Sequence, residues 1–100
     1  MQKESLILSI DGGASSSKAG VITKNSKEII REYVGKAIYT EKKDIKETLL
    51  NLKEILVDVK TNFKEIAGVV IGISGMDTQN EKKIYTPAVS RLVKIFFKEA

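Results

Sequence analysis

Four residues, Gly12-Gly13-Ala14-Ser15, are all that separates two strand-like runs near the N-terminus. The first run, residues 5–11, is rich in Leu and Ile and ends in Asp11; the second spans residues 16–23. A link this short cannot carry the chain over the face of a sheet, so the two strands must lie antiparallel. Lys24-Asn25-Ser26 has turn chemistry, because Asn tolerates positive φ. Residues 27–34 then form a third strand, whose mixed polarity suits a place near the sheet edge. The chain therefore begins as an antiparallel meander, and everything after it must pack onto that meander.

Residues 35–40 connect to a helix, with Thr40 suited to cap it. From Asp44 onward, Ile45, Leu49, Leu52, Leu56, Val59 and Phe63 recur at three- and four-residue steps. This is the stripe of an amphipathic helix of about five turns. Residues 66–73 are apolar without alternation, the pattern of a central parallel strand covered on both faces. A polar loop over 74–80 follows, then a helix over 81–92 limited or kinked by Pro87, and a last strand over 93–97. The order is β-β-β-α-β-α-β. Right-handed crossovers place the fourth strand beside the first, giving a mixed five-stranded sheet in the order 3-2-1-4-5. That order, with two helices, is the α/β ribonuclease-H-like core with only its final helix missing.

The chain has 100 residues, enough for one domain and too few for two lobes with a cleft between them. It has no Cys and no His, which excludes thiol nucleophiles, disulfides, Cys/His zinc sites and Ser-His triads. Carboxylates, hydroxyls, Lys and backbone amides remain, a set suited to phosphate and Mg²⁺. The net charge of +4 is spread along the chain, and the pairs Lys42-Lys43 and Lys82-Lys83 are flanked by Glu. With only six aromatic residues to stack on bases, this is a solvated surface rather than a nucleic-acid footprint. The apolar N-terminal run is too short for a signal peptide, and 66–73 is too short to span a membrane, which points to a cytoplasmic protein without nucleic-acid or membrane partners.

Two segments carry chemistry. Asp11-Gly12-Gly13-Ala14-Ser15-Ser16-Ser17-Lys18 occupies the tight turn between the first two strands. Glycines there let backbone N–H groups approach an anion, serines add hydroxyl donors, Lys18 adds a charge, and Asp11 can hold Mg²⁺ through water. A plain hairpin turn with solvated serines would read the same. Gly72-Ile73-Ser74-Gly75-Met76-Asp77 lies at the C-terminal end of the buried parallel strand, where α/β sheets bind ligands. Asp77 capping the next helix is the structural alternative. Neighbouring first and fourth strands put Asp11 and Asp77 at one end of the sheet.

Taken together, these segments resemble the N-terminal lobe of the N-acetylglucosamine kinase and archaeal hexokinase group. This group belongs to the BadF/BadG/BcrA/BcrD-type ATPases of the actin, sugar-kinase and Hsp70 superfamily. The family's first phosphate motif, D-G-G-G-T-K-T, corresponds to Asp11-Gly12-Gly13-Ala14-Ser15-Ser16-Ser17, and its G-x-A/S-G-x-D segment to Gly72-Ile73-Ser74-Gly75-Met76-Asp77. Tyr85-Thr86-Pro87-Ala88 is similar to the following helix of archaeal hexokinases. The resemblance covers nearly the whole chain but only about the first third of a typical member.

The resemblance implies an actin-like ATPase domain that transfers phosphoryl groups from ATP to a sugar or amino sugar. Asp11 would position Mg²⁺, and Gly12, Gly13, Ser15, Ser16 and Lys18 would hold the β- and γ-phosphates. Gly75, Asp77 and Tyr39 would face the sugar, and Glu99 stands where the family keeps its catalytic base. The chain departs from the pattern at Ala14 for the third Gly, at Ser16 for Lys, and at Ile38 where a sugar-contacting Asn would stand. The second lobe, which carries most of the adenine site, would come from a partner chain. The competing reading is a non-catalytic module of the same fold that binds a protein or self-associates through an apolar strand at 93–97. An activator ATPase of the dehydratase type needs cluster-binding Cys, and a nuclease needs more clustered carboxylates than Asp11 and Asp77 supply.

Overall fold

The computed structural model describes residues 4–38, 45–73 and 79–98. Its elements are β1 (Leu6–Gly12), β2 (Ser16–Thr23), β3 (Ile29–Lys36), α1 (Ile45–Asn62), β4 (Gly68–Ile73) and α2 (Gln79–Phe96). The sheet order is β3-β2-β1-β4. As the short link demands, β1 and β2 are antiparallel, while β1 and β4 are parallel. The positive φ of the β2–β3 turn falls on Lys27 (φ 60°) rather than on Asn25. The turn is held from outside: Glu4 accepts the N–H groups of Asn25 and Ser26 at 2.7 and 2.6 Å. Those bonds, Ser26 N–H first, hold the Glu4 carboxyl below its ordinary value of 4.5.

Both helices lie on one face of the sheet. Leu8 and Ile10 of β1, Ala19 and Val21 of β2, and Leu52, Ile55, Leu56 and Val59 of α1 form one buried cluster. Each of the Leu, Ile and Val side chains among them contributes about 1.5–3 kcal/mol by leaving water. The opposite parity of each strand is uncovered. Lys18 and Asp11 are exposed there, and Val34 and Val70 are 77% and 63% exposed. Among the described residues no helix is long and apolar enough to cross a membrane.

Three expectations are corrected. The sheet has four strands, not five, because residues 93–96 continue α2 through Pro87. Tyr85 and Val93 within α2, and Phe97 just beyond it, are buried, while Ile95 is 73% exposed. With partly buried Val89 these residues follow a four-residue period, so helical packing overrides the strand-like composition. Self-association through a terminal strand therefore has no structural basis, since Phe97 faces the core rather than a sheet edge. Finally, β4 is neither central nor covered on both faces; it is the outer strand, with Val70 and Gly72 exposed.

Candidate functional site

The β1–β2 turn projects from one end of the sheet, beside the C-terminal end of β4. Asp11 pairs across to Lys18 on β2 and to Gly72 on β4, and Lys18 pairs to Val34 on β3. Directly paired residues share a face, so these four form one row on the uncovered side. Asp11 is exposed there, and among the described residues nothing donates a hydrogen bond to it. The parallel register makes the two sequence motifs neighbours: Asp11 stands opposite Gly72, and Gly12 opposite Ile73.

The turn is fastened from below by residues that the sequence reading assigned no such role. Gly13 N–H donates to Ser16 C=O at 3.0 Å, and Ile38 N–H donates to Gly13 C=O at 3.0 Å. The peptide is trans, so the Ala14 N–H points away from Ile38, opposite to the Gly13 carbonyl. Ala14 itself lies outside the left-handed region, so its methyl is accommodated without backbone strain. Ser17 turns inward, 1% exposed, and donates to Lys36 C=O at 2.8 Å. Asn51 of α1, also buried, donates from Nδ2 to Ala37 C=O at 2.7 Å.

Ile38, which the resemblance set against a sugar-contacting Asn, is fully buried and packs under Gly12. It therefore props the turn and presents nothing to a ligand. Ser17 could have been found from the sequence, because it shares the parity of Ala19 and Val21. Asn51 gave no such signal, since an Asn beside an apolar stripe looks like part of the wet face.

Ala14, Ser15, Ser16 and Lys18 are exposed at the turn. The two hydroxyls and the ammonium can donate to the oxygens of a phosphate, and the Asp11 carboxylate can hold a cation through water. Gly12 is buried and Gly13 has used its N–H, so these two glycines shape the turn rather than donate from it. Tyr39, Gly75, Asp77 and Glu99 lie outside the described residues. Among the described residues no group of three or more His, Cys, Asp or Glu could hold a metal.

No family model and no curated protein matches the chain. Solved structures do. RuvC of T. thermophilus, determined in complex with a Holliday junction substrate, aligns with TM-score 0.55 and 18% identity over 91% of this chain and 56% of RuvC. A gluconate kinase from Lactobacillus acidophilus aligns with TM-score 0.51 and 19% identity over 69% of this chain and 16% of the kinase. The chain thus spans about half the length of one neighbour and a small part of the other. At these identities the likeness establishes the architecture, and the chain has the mixed α/β, ribonuclease-H-like fold that these two neighbours share.

Proposed function

We propose that the chain is the phosphate-binding lobe of an ATP-dependent sugar or amino-sugar kinase, which acts when a second lobe, in cis or from a partner chain, faces it. The observation that carries this reading is the exposed turn of Ala14, Ser15 and Ser16 beside Asp11, an exposed carboxylate that accepts no hydrogen bond among the described residues. Preorganised donors of this kind stabilise charge on a phosphoryl group without reorganising during reaction. ATP with Mg²⁺ would supply the transferable phosphoryl group and part of its charge neutralisation.

Toward that group, the Asp11 carboxylate would hold the metal through water. The Ala14 amide and the two hydroxyls would bind phosphate oxygens, and Lys18 would add attraction across the strand. Gly75, Asp77 and Tyr39 would orient the sugar, and Glu99 would take its hydroxyl proton. The likeness to a gluconate kinase is consistent with this reading, and a two-metal nuclease would call for more clustered carboxylates than Asp11 and Asp77 supply.

Isothermal titration with ATP·Mg²⁺ and with sugars, on the chain alone and with a sugar-kinase C-terminal lobe added, tests the proposal. Saturable ATP·Mg²⁺ binding in the mixture, lost in Asp11→Asn, is the expected result. No heat in either sample sinks it.

A further inference from the structure

The pairing of β3 with β2 ends at Lys36, opposite Ser16, so the backbone groups beyond it need partners elsewhere. Three successive residues find one each, on three different parts of the fold. Lys36 C=O accepts from Ser17 Oγ of β2 at 2.8 Å. Ala37 C=O accepts from Asn51 Nδ2 of α1 at 2.7 Å, and Ile38 N–H donates to Gly13 C=O in the β1–β2 turn at 3.0 Å. Helix α1 lies close against this junction. A Cβ built at Gly35 would stand 2.9 Å from Cδ1 and Cγ1 of Ile55 and from Ser17 Oγ, and Glu54 pairs with Lys36 at 3.5 Å. Asn51, Glu54 and Ile55 fall three and four residues apart, on one side of the helix.

Two of these bonds share one peptide. Ala37 C=O and Ile38 N–H are opposite ends of a single planar trans unit. Asn51 holds one end and Gly13 the other, so the unit cannot rotate without breaking both bonds. A carbonyl that accepts a hydrogen bond also strengthens the donor of its own peptide. Gly13 C=O belongs in turn to the peptide that ends in the Ala14 N–H, which points away from Ile38. Two hydrogen bonds and two rigid peptides thus connect the Asn51 side chain to the Ala14 amide. Without Asn51 the 37–38 peptide loses one of its two anchors, and Gly13 C=O loses its fixed donor. The 13–14 peptide can then reverse, which the missing side chain of Gly13 makes easier. A reversed peptide puts a carbonyl oxygen where the N–H had been, and a carbonyl oxygen repels phosphate.

We propose that Asn51 is a positioning residue for the phosphate turn. Acting through the 37–38 peptide, it keeps the Ala14 N–H, rather than the Gly13 carbonyl, on the side away from Ile38, and so sets the affinity of the turn for anions. This inference rests on the reading of the turn as a phosphate site.

NMR couplings across hydrogen bonds test the path in the unmutated full chain. Couplings from Asn51 Nδ2 to the Ala37 carbonyl carbon and from Ile38 N to the Gly13 carbonyl carbon are expected, and their absence overturns the proposal. Asn51→Leu keeps the shape of the side chain and removes the donor. It should erase the Ile38–Gly13 coupling and speed exchange of the Ile38 amide relative to the amides of β1. Titrated with ATP·Mg²⁺ in the presence of a sugar-kinase C-terminal lobe, it should bind about tenfold or more weakly, because small displacements of positioning groups carry losses of that order. Val59→Ala removes buried volume about 12 Å further along α1, and should leave the coupling, the Ile38 exchange and the affinity unchanged. A parent chain that binds no ATP·Mg²⁺ overturns the phosphate reading and this inference together. A parent that binds, with Asn51→Leu binding equally well, Ile38 exchange unmoved, or Val59→Ala weakened alike, overturns this inference alone.

Discussion

Gly12 separates two reasons for placing glycine in the β1–β2 turn: close approach of a ligand, or close approach of the protein to itself. A Cβ built at Gly12 would stand 2.7 Å from the Ile38 carbonyl oxygen and 2.9 Å from both Cβ and Cγ2 of Ile38. The nearest atom is backbone, so no side-chain rotation relieves the contact. Nor can the Ile38 segment move freely. Its N–H is bonded to Gly13, the preceding Ala37 carbonyl is bonded to Asn51, and the Ile38 side chain is fully buried.

Forcing a methyl into such a site costs about 1–3 kcal/mol. The lower entropy of the unfolded Ala chain returns roughly 0.4–1 kcal/mol. Gly12→Ala should therefore lose about 1–2 kcal/mol without any ligand present, a fall in Tm of roughly 5–15 °C for a domain of this size. Urea denaturation followed by circular dichroism, with the m-value checked for constancy, measures it. A Gly12→Ala protein as stable as the parent would refute the packing account and return this glycine to the ligand.

The same assay covers the remaining predictions. Gly72→Ala meets nothing within 4 Å and should leave stability unchanged or raise it by about 0.4–1 kcal/mol; a loss would mean the β4 edge is already covered. Asn51→Ala strands the buried Ala37 carbonyl and should cost about 1–3 kcal/mol, whereas a neutral result would show that the helix-to-turn tie is dispensable. Pro87→Ala restores a backbone donor inside α2 and should stabilise by roughly 1–3 kcal/mol with helix content held or increased; reduced helicity would contradict one continuous helix. The lowered Glu4 carboxyl contributes stability at pH above 4.5 that drains away as the pH falls through its folded value. Glu4→Gln should therefore flatten the acid limb of the pH–stability curve, and an unchanged limb would dissociate Glu4 from the β2–β3 turn.

The elements visible in the sequence are those whose local chemistry and tertiary demand agree. The turn at 12–15 forces β1 against β2, and the Leu and Val spacing forces α1. Asp11 at a strand end, opposite Gly72, follows from those two facts and a right-handed crossover. The errors arise where local signals and packing conflict. Val93, Ile95, Phe96 and Phe97 have strand composition, yet Tyr85, Val89, Val93 and Phe97 recur every fourth residue along one side of α2 and past its end. Lys60 of α1 fixes that end, donating to Phe96 C=O at 2.9 Å with its ammonium 5.3 Å from the Phe97 ring. Such contacts between elements far apart in sequence leave no periodic trace. Neither does the use of Ile38 and Asn51 to brace the turn.

The misreading of β4 has a different origin. Its sequence carries apolar residues on both parities, the pattern of a strand buried on both faces and flanked on both sides. In the fold, Val69, Ile71 and Ile73 pack toward the helices, while Val70 faces water at 63% exposure and one edge has no neighbouring strand among the described residues. On the same open face, Val34 of β3 is exposed at 77%, yet its strand is interspersed with charge and forms a guarded edge. A surface with an isolated apolar residue needs no explanation. A whole uncharged strand that offers an open backbone edge above an apolar groove does, because both unmet demands fall on the same six residues. A helix laid across the open face would cover Val70 and leave the edge unpaired. A strand at that edge would satisfy Gly68, Val70 and Gly72 and fill the groove at once, and the order 3-2-1-4-5 gives that place to a fifth strand.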